Sequence, residues 1–224
     1  MVMVVLNQTF GGINHLNPRG KSESNMYDFI FTDKIDENIC NNLIDLFESN
    51  SDKQRSGLVA DGDVKNLDTS KKNSTDLELN GFNLPLLDSY YMELQNVLLK
   101  YIETYPEVRK LPTFNPTHGR IQKYDKDGHY NTWHHERAGG STQKRCLVYM
   151  TYLNDVEEGG YTYFKYQNKQ IKPEVGKTVI WPSDWTHTHK GIGPKEGYKY
   201  IITGWYVHTE ISTDDIFSSI QSMF

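Results

Sequence analysis

Residues 117–208 are a succession of short runs, either alternating or wholly apolar, each cut off by Gly, Pro, Asn or Asp. That pattern excludes a helical bundle and confines this half of the chain to short paired strands. Arg120, Gln122 and Tyr124 alternate with Ile121 and Lys123, and residues 125–128 make a turn. A second strand is expected over 130–136, followed by a flexible connection at 138–141. Residues 145–153 form a strongly apolar strand. Turn residues fill 154–160, and 161–166 reads as the hairpin partner. A turn at 174–176 leads to a buried strand over 178–181. Residues 182–197 are loop-like, and 198–208 is the last clear strand. The 15 tyrosines and 4 tryptophans crowd mainly into this half, as β-structure favours.

The first half reads differently. Residues 1–26 suggest a strand and an irregular arm, and 29–31 a short strand. Asp36 is a plausible N-cap for a helix reaching about Ser49, with Ile39, Leu43, Ile44 and Phe47 as its apolar stripe. Residues 49–80 are Ser, Asp, Lys, Asn and Gly with few apolar positions, which points to a long loop, either a solvated connection or a cover for a site. Pro85 suits the first turn of a second helix carrying Leu87, Tyr91, Leu94, Leu98 and Ile102, and Pro106 ends it. Residues 214–224 suggest a terminal helix. The class is α+β, mainly β, and periodicity alone does not choose between sandwich, barrel and jelly roll.

A chain of 224 residues is long enough to bury a real core. A net charge of -5 does not favour nucleic acid as a bulk partner. With two cysteines, Cys40 and Cys146, a disulfide framework is not indicated and a reducing compartment is expected. The apolar start covers six residues without a basic flank, so no leader is expected, and no run reaches the ~20 residues of a membrane span. The expectation is a soluble, intracellular (cytoplasmic) protein with no membrane partner. Its oligomeric state is left open.

Six of the eight histidines lie between His118 and His189. On an extended strand, residues two apart share a side, so His134 and Glu136 aim at one point and His135 faces away. A further imidazole from His189 gives two histidines and one carboxylate, the facial triad of non-haem iron. His187 is the rival third ligand. Lys199 shares its strand face with Ile201, Thr203 and Trp205, and an ammonium on such a face needs an anionic partner.

Tyr124, Gly128, Tyr130, His134 and Glu136 resemble the Y-G-Y-H-x-D run of the prolyl 4-hydroxylase-like branch of the 2-oxoglutarate/Fe(II) dioxygenases. The resemblance continues through Arg145, Tyr152-Leu153-Asn154-Asp155, Glu158-Gly159-Gly160, His189, Gly191, Lys199 and Trp205. Most of that branch has Asp at the position of Glu136, and the extra methylene moves the carboxylate by about 1.5 Å, one C–C bond. Glu does occur as a ligand elsewhere in the superfamily.

The resemblance implies a double-stranded β-helix, or jelly-roll, core with supporting N-terminal helices. It implies a single dioxygenase domain over 1–224, with helical support and a loop region over 1–116 and the catalytic jelly roll over 117–210. It implies Fe(II) on His134, Glu136 and His189, and prefers His189 to His187 because Lys199 follows it by ten residues. It gives Lys199 and Tyr124 to 2-oxoglutarate, with O2 as co-reactant, ascorbate as an auxiliary, and succinate and CO2 as products. Arg145 matches an active-site arginine, and an ion-pair role fits it equally. For Lys199 the alternative is an internal ion pair. Trp133 and Trp205 are candidates for the cavity wall. The implied substrate is peptidyl proline; a free amino acid or a nucleotide stays open. So do a non-catalytic metal- or peptide-binding jelly roll and a zinc hydrolase.

Overall fold

A computed structural model describes residues 27–61, 64–112 and 114–209. The expected N-terminal arm and the helix over 214–224 lie outside these residues.

In chain order the elements are β1 (Phe31–Lys34), α1 (Glu37–Glu48), β2 (Arg55–Ser56), β3 (Val59–Asp61), β4 (Val64–Asn66), β5 (Thr75–Glu78) and α2 (Pro85–Thr104). They continue with β6 (Phe114–Pro116), β7 (Arg120–Tyr124), β8 (Tyr130–His134), β9 (Arg145–Tyr152) and β10 (Thr162–Phe164). The last are β11 (Lys169–Ile171), β12 (Lys177–Pro182), β13 (His189–Gly191) and β14 (Lys199–His208).

Both helices form where capping and periodicity put them. The Asp36 carboxylate accepts from Asn38 N at 2.7 Å, an N-cap bond, and Pro85 occupies the first turn of α2. Leu43 and Phe47 from α1, and Leu94 and Leu98 from α2, pack with Ile121, Leu147, Tyr149 and Ile202 on one face of the large sheet.

That sheet has eight strands, seven in the order β1-β12-β9-β14-β7-β5-β2 and β6 off this path, paired with the C-terminal end of β14. A four-stranded sheet, β11-β10-β13-β8, lies apart from it. Residues Val148, Met150, Tyr152, Val179, Trp181 and Ile201 of the large sheet and Phe164 and Ile171 of the small one form a second core between the sheets. This is the jelly-roll arrangement.

β9 is therefore covered on both sides. Leu147 and Tyr149 face the helices, Val148 and Met150 face the other sheet, and the strand reads as an uninterrupted apolar run. β14 alternates in the same way. Ile202 and Tyr206 enter the helix-side core, while Lys199, Ile201, Thr203 and Trp205 line a cavity.

Two expectations are corrected. Residues 161–166 are not the hairpin partner of β9. β9 pairs with β12 and β14, whereas β10 crosses to the small sheet and pairs with β11 and β13. The turn residues at 154–160 are a link between sheets, and Gly160 (φ +73) makes its bend where a Cβ would press on Pro173 at 2.8 Å.

The second correction concerns residues 49–80, which are not one structureless loop. β5 pairs with β7, β2 continues the sheet beyond it, and Leu77 and Leu79 are fully buried. The polar content misled because β5 also buries Asp76, which is held by an ion pair with Lys72 at 2.8 Å. β3 and β4 form a separate two-stranded ladder, a unit that is marginal alone. Hydrogen exchange should accordingly be slow over 75–78 and fast in the β3–β4 ladder. Equal protection of both would show that the ladder is fixed against the body of the protein.

Candidate active site

β8 and β13 are antiparallel neighbours, and their register sets His134 directly opposite His189. β8 ends at His134. Glu136 lies just beyond, where its backbone N–H donates to Ser183 O at 3.0 Å. The side-chain geometry nevertheless converges as the two-residue spacing predicts. His134 Nε2 and His189 Nε2 lie 3.5 and 3.7 Å from Glu136 Oε1, and one ligand atom from each of the three residues falls within 4.8 Å of the others.

The outer ring nitrogens are held by backbone carbonyls. His134 Nδ1 is 2.8 Å from Thr132 O, and His189 Nδ1 is 2.9 Å from His187 O. Each bond fixes the tautomer that leaves Nε2 free to bind a metal. Burial pushes the His189 imidazole down to about 3, so it stays neutral, as a ligand must. Burial alone would raise the Glu136 carboxyl. The neighbouring imidazoles of His134 and His189 and the Arg145 guanidinium outweigh that, and Glu136 sits well below the usual carboxylate range.

The distal oxygen of Glu136 is also occupied. Oε2 accepts from Trp205 Nε1 at 2.9 Å and from Arg145 Nη1 at 3.1 Å, and the Arg145 guanidinium lies 3.5 Å from the centre of the Trp205 ring. Oε1 is the oxygen left toward the imidazoles. Of the two roles open to Arg145, the ion pair is formed, and it is formed inside the site.

His187 is buried elsewhere. Its Nε2 is 3.0 Å from Asp28 O and its Nδ1 is 3.0 Å from Thr186 Oγ1, so both ring nitrogens are engaged. His187→Ala should leave metal affinity within a few-fold of wild type, while His189→Ala should lower it by more than ~100-fold, beyond the cost of losing an outer partner. Titration with Fe(II) or Co(II), followed by tryptophan fluorescence, distinguishes the two. The reverse ranking would transfer the ligand to His187. His129 bonds to the loop carbonyls of Asp127 and Ser70, and His135 is exposed.

Trp205 lines the cavity. Trp133 does not: it is 40% exposed, with Lys190 4.7 Å from its ring centre on the outer face of the small sheet. Strand parity decides this, since Trp133 is one residue from His134.

Lys199 closes the inner end of a cavity of about 310 Å³. It is 2% exposed, and its Nζ donates to the carbonyls of Ile192 at 2.9 Å and Gly160 at 3.3 Å. No carboxylate pairs with it among the described residues, and burial pushes it down to about 7. The Tyr124 ring lies 4.4 Å away. The Tyr124 hydroxyl donates to Gln122 Oε1 at 3.1 Å, and burial raises it far above its ordinary value, so it remains a donor.

The cavity wall holds groups that the motif reading passed over: Lys72, Asp76, Arg120 and Gln122. Asp76 joins them, accepting from Lys72 at 2.8 Å and from Gln122 at 2.9 Å. Arg120 and Gln122 were accessible to a parity argument, since they share a strand face with Tyr124. Nothing in the local sequence marks Lys72 and Asp76 beyond their four-residue spacing.

Residues 119–207 match the sequence model of the 2OG-Fe(II) oxygenase superfamily. That match spans less than half of the chain, and the curated relatives that the chain resembles are named prolyl 4-hydroxylases. The chain is 30% identical, over a 106-residue alignment, to the Arabidopsis thaliana protein named Probable prolyl 4-hydroxylase 9. That alignment covers 38% of this chain and only 36% of the plant protein. The fold of this chain is that of the viral collagen prolyl hydroxylase of Paramecium bursaria chlorella virus-1, solved with 2OG: TM-score 0.60, 16% identity, 81% of this chain and 97% of the other. A Trichoplax adhaerens prolyl hydroxylase, solved with a hypoxia inducible factor peptide fragment, superimposes at TM-score 0.61 with 16% identity, over 80% and 84% of the two chains. No helix among the described residues is long and apolar enough to cross a membrane.

Proposed function

We propose that this chain is a 2-oxoglutarate- and Fe(II)-dependent oxygenase that hydroxylates a peptidyl proline. The observation that carries the reading is Lys199, a buried amine with no carboxylate partner among the described residues, in the same cavity as two imidazoles and a carboxylate. A purely structural metal would have no use for such a cation. A dicarboxylate cosubstrate would: one end would meet the metal and the other would pair with Lys199.

His134, Glu136 and His189 fit a divalent metal by donor type, by convergence and by their fixed tautomers. When bound, iron with 2-oxoglutarate and dioxygen supplies the oxidising power: one oxygen atom enters the substrate C–H bond and the other leaves in succinate, with loss of CO2. The chain's own part is positioning and exclusion of water. Arg145 and Trp205 hold Glu136 Oε2, leaving Oε1 for the metal. Lys199 would pair with the far carboxylate of the cosubstrate, beside the Tyr124 ring, whose centre lies 4.4 Å from Nζ. Met150, Trp181 and Ile201 keep that end of the cavity apolar.

The peptide complex of the Trichoplax protein supports a peptide as the substrate. The full extent 1–224 is proposed as one functional unit, since β1, β2 and β5 of the N-terminal half complete the large sheet. The test is aerobic incubation with Fe(II), 2-oxoglutarate and a proline-rich peptide. Succinate and a peptide carrying one extra oxygen atom on proline are expected in equal amounts. Succinate with an unmodified peptide would reject the prolyl substrate.

A further inference from the structure

The cavity has a charge that the chain as a whole does not. The protein carries a net charge of -5, yet six cationic and three carboxylate side chains line the cavity. Iron and a doubly ionised 2-oxoglutarate would cancel each other, so loading the site leaves that excess of positive charge in place.

Part of the excess is already used. Lys199 is allotted to the cosubstrate, and Arg145 pairs with Glu136. On the wall, Lys72 pairs with Asp76 at 2.8 Å, and Arg120 lies 3.3 Å from Glu78 and 3.8 Å from Asp76. Arg120 Nε is buried without a hydrogen-bond partner among the described residues, leaving one unused donor on that wall. Lys53 and Arg55 remain, both exposed where the cavity opens. Lys53 Nζ bonds to Asn50 Oδ1 and lies 4.7 Å from the Phe82 ring centre, and Arg55 Nη1 donates to the backbone carbonyls of Asp52 and Gln54. These contacts hold the two side chains without neutralising them: among the described residues neither meets a carboxylate.

We propose that this mouth selects an acidic peptide, one with Asp or Glu beside the residue that enters the cavity. The inference rests on the oxygenase reading above and adds the class of sequence that the site prefers. A peptide fits better than another anion because β2, which carries Arg55, is the last strand in the order of the large sheet, and a terminal strand is where an extended chain can add by backbone pairing. An opening charged opposite to the rest of the surface would also raise the capture rate of an acidic segment.

The test uses two labelled proline-containing peptides of equal length, one flanked by glutamates and one by lysines. Binding is read by fluorescence anisotropy on the full chain with Fe(II) and 2-oxoglutarate under anaerobic conditions, and KM and kcat are then read in air. The acidic peptide should bind about tenfold more tightly, two rim pairs at a few-fold each, with the difference appearing in KM. The preference should shrink as salt rises from about 0.05 to 0.3 M. Lys53→Glu combined with Arg55→Glu should invert it, an outcome that loss of folding cannot produce. Equal affinity for both peptides, or a preference unchanged by the double reversal, would overturn the proposal. So would displacement of the acidic peptide by a single-stranded oligonucleotide at lower concentration. Charge-dependent binding without succinate would support the acidic mouth and reject the oxygenase reading; hydroxylation of both peptides alike would do the opposite.

Discussion

Lys199→Met is expected to raise the 2-oxoglutarate concentration needed for turnover by two to four decades. The methionine keeps the length and the apolar stem, so the fold and the metal ligands should survive. What is lost is the counter-charge to a buried carboxylate, and breaking one side of such a pair costs roughly 3–5 kcal/mol, or about 200- to 5,000-fold in affinity. The free enzyme carries a second signature. Burial pushes Lys199 down to about 7, whereas in the unfolded chain it titrates near 10.4. Between these values the unfolded state binds more protons, so this group makes the free enzyme more stable as pH rises through that window. The arriving carboxylate restores the ammonium. Near pH 8, 2-oxoglutarate should therefore bind with proton uptake in wild type and without it in Lys199→Met. Calorimetry in buffers of different ionisation enthalpy measures the difference. An unchanged cosubstrate requirement would falsify the anchor role.

The second large effect is at Glu136. Glu136→Ala should abolish nearly all succinate formation and weaken metal binding by more than ~100-fold. It removes the oxygen that faces both imidazoles and leaves Arg145 and Trp205 without their shared acceptor. Glu136→Asp should keep part of the activity, because a shorter carboxylate can still reach the metal but not both outer partners. Turnover by Glu136→Ala at the wild-type rate would mean that the carboxylate is not a necessary ligand.

The centre of the site was legible because it obeys simple periodicities. The strand face shared by Lys199, Ile201, Thr203 and Trp205 follows from the geometry of extended chain, while the two-residue step from His134 to Glu136 brought the right pair together although β8 ends at His134 and Glu136 sits at the bend beyond it. The helices were legible for the same kind of reason: Asp36 and Pro85 are local signals with local consequences. The misreadings were non-local. Whether residues 161–166 fold back on β9 depends on competition from β12 and β14, which no turn sequence reports. β5 was hidden because its burial is secured by charge pairing: apolar counting sees Leu77 but does not see that Asp76 and Lys72 satisfy one another inside. Choosing His189 over His187 took more than spacing, since what separates them is the engagement of both His187 ring nitrogens, one of them with Asp28.

The alternation along β14 bears on how this protein can change over generations. Its neighbours fix it on both sides: Lys199 lies opposite Tyr124 on β7, and Ile201 opposite Tyr152 on β9. A point substitution on the helix-facing side disturbs one packing contact. Losing one residue upstream of Lys199 would tempt the strand to slide by a single step, and every side chain would then change sides. Lys199 would be driven into the apolar layer beneath the helices, and Tyr200 into the cavity. The lineage can thus drift in the composition of this strand far more freely than in its length.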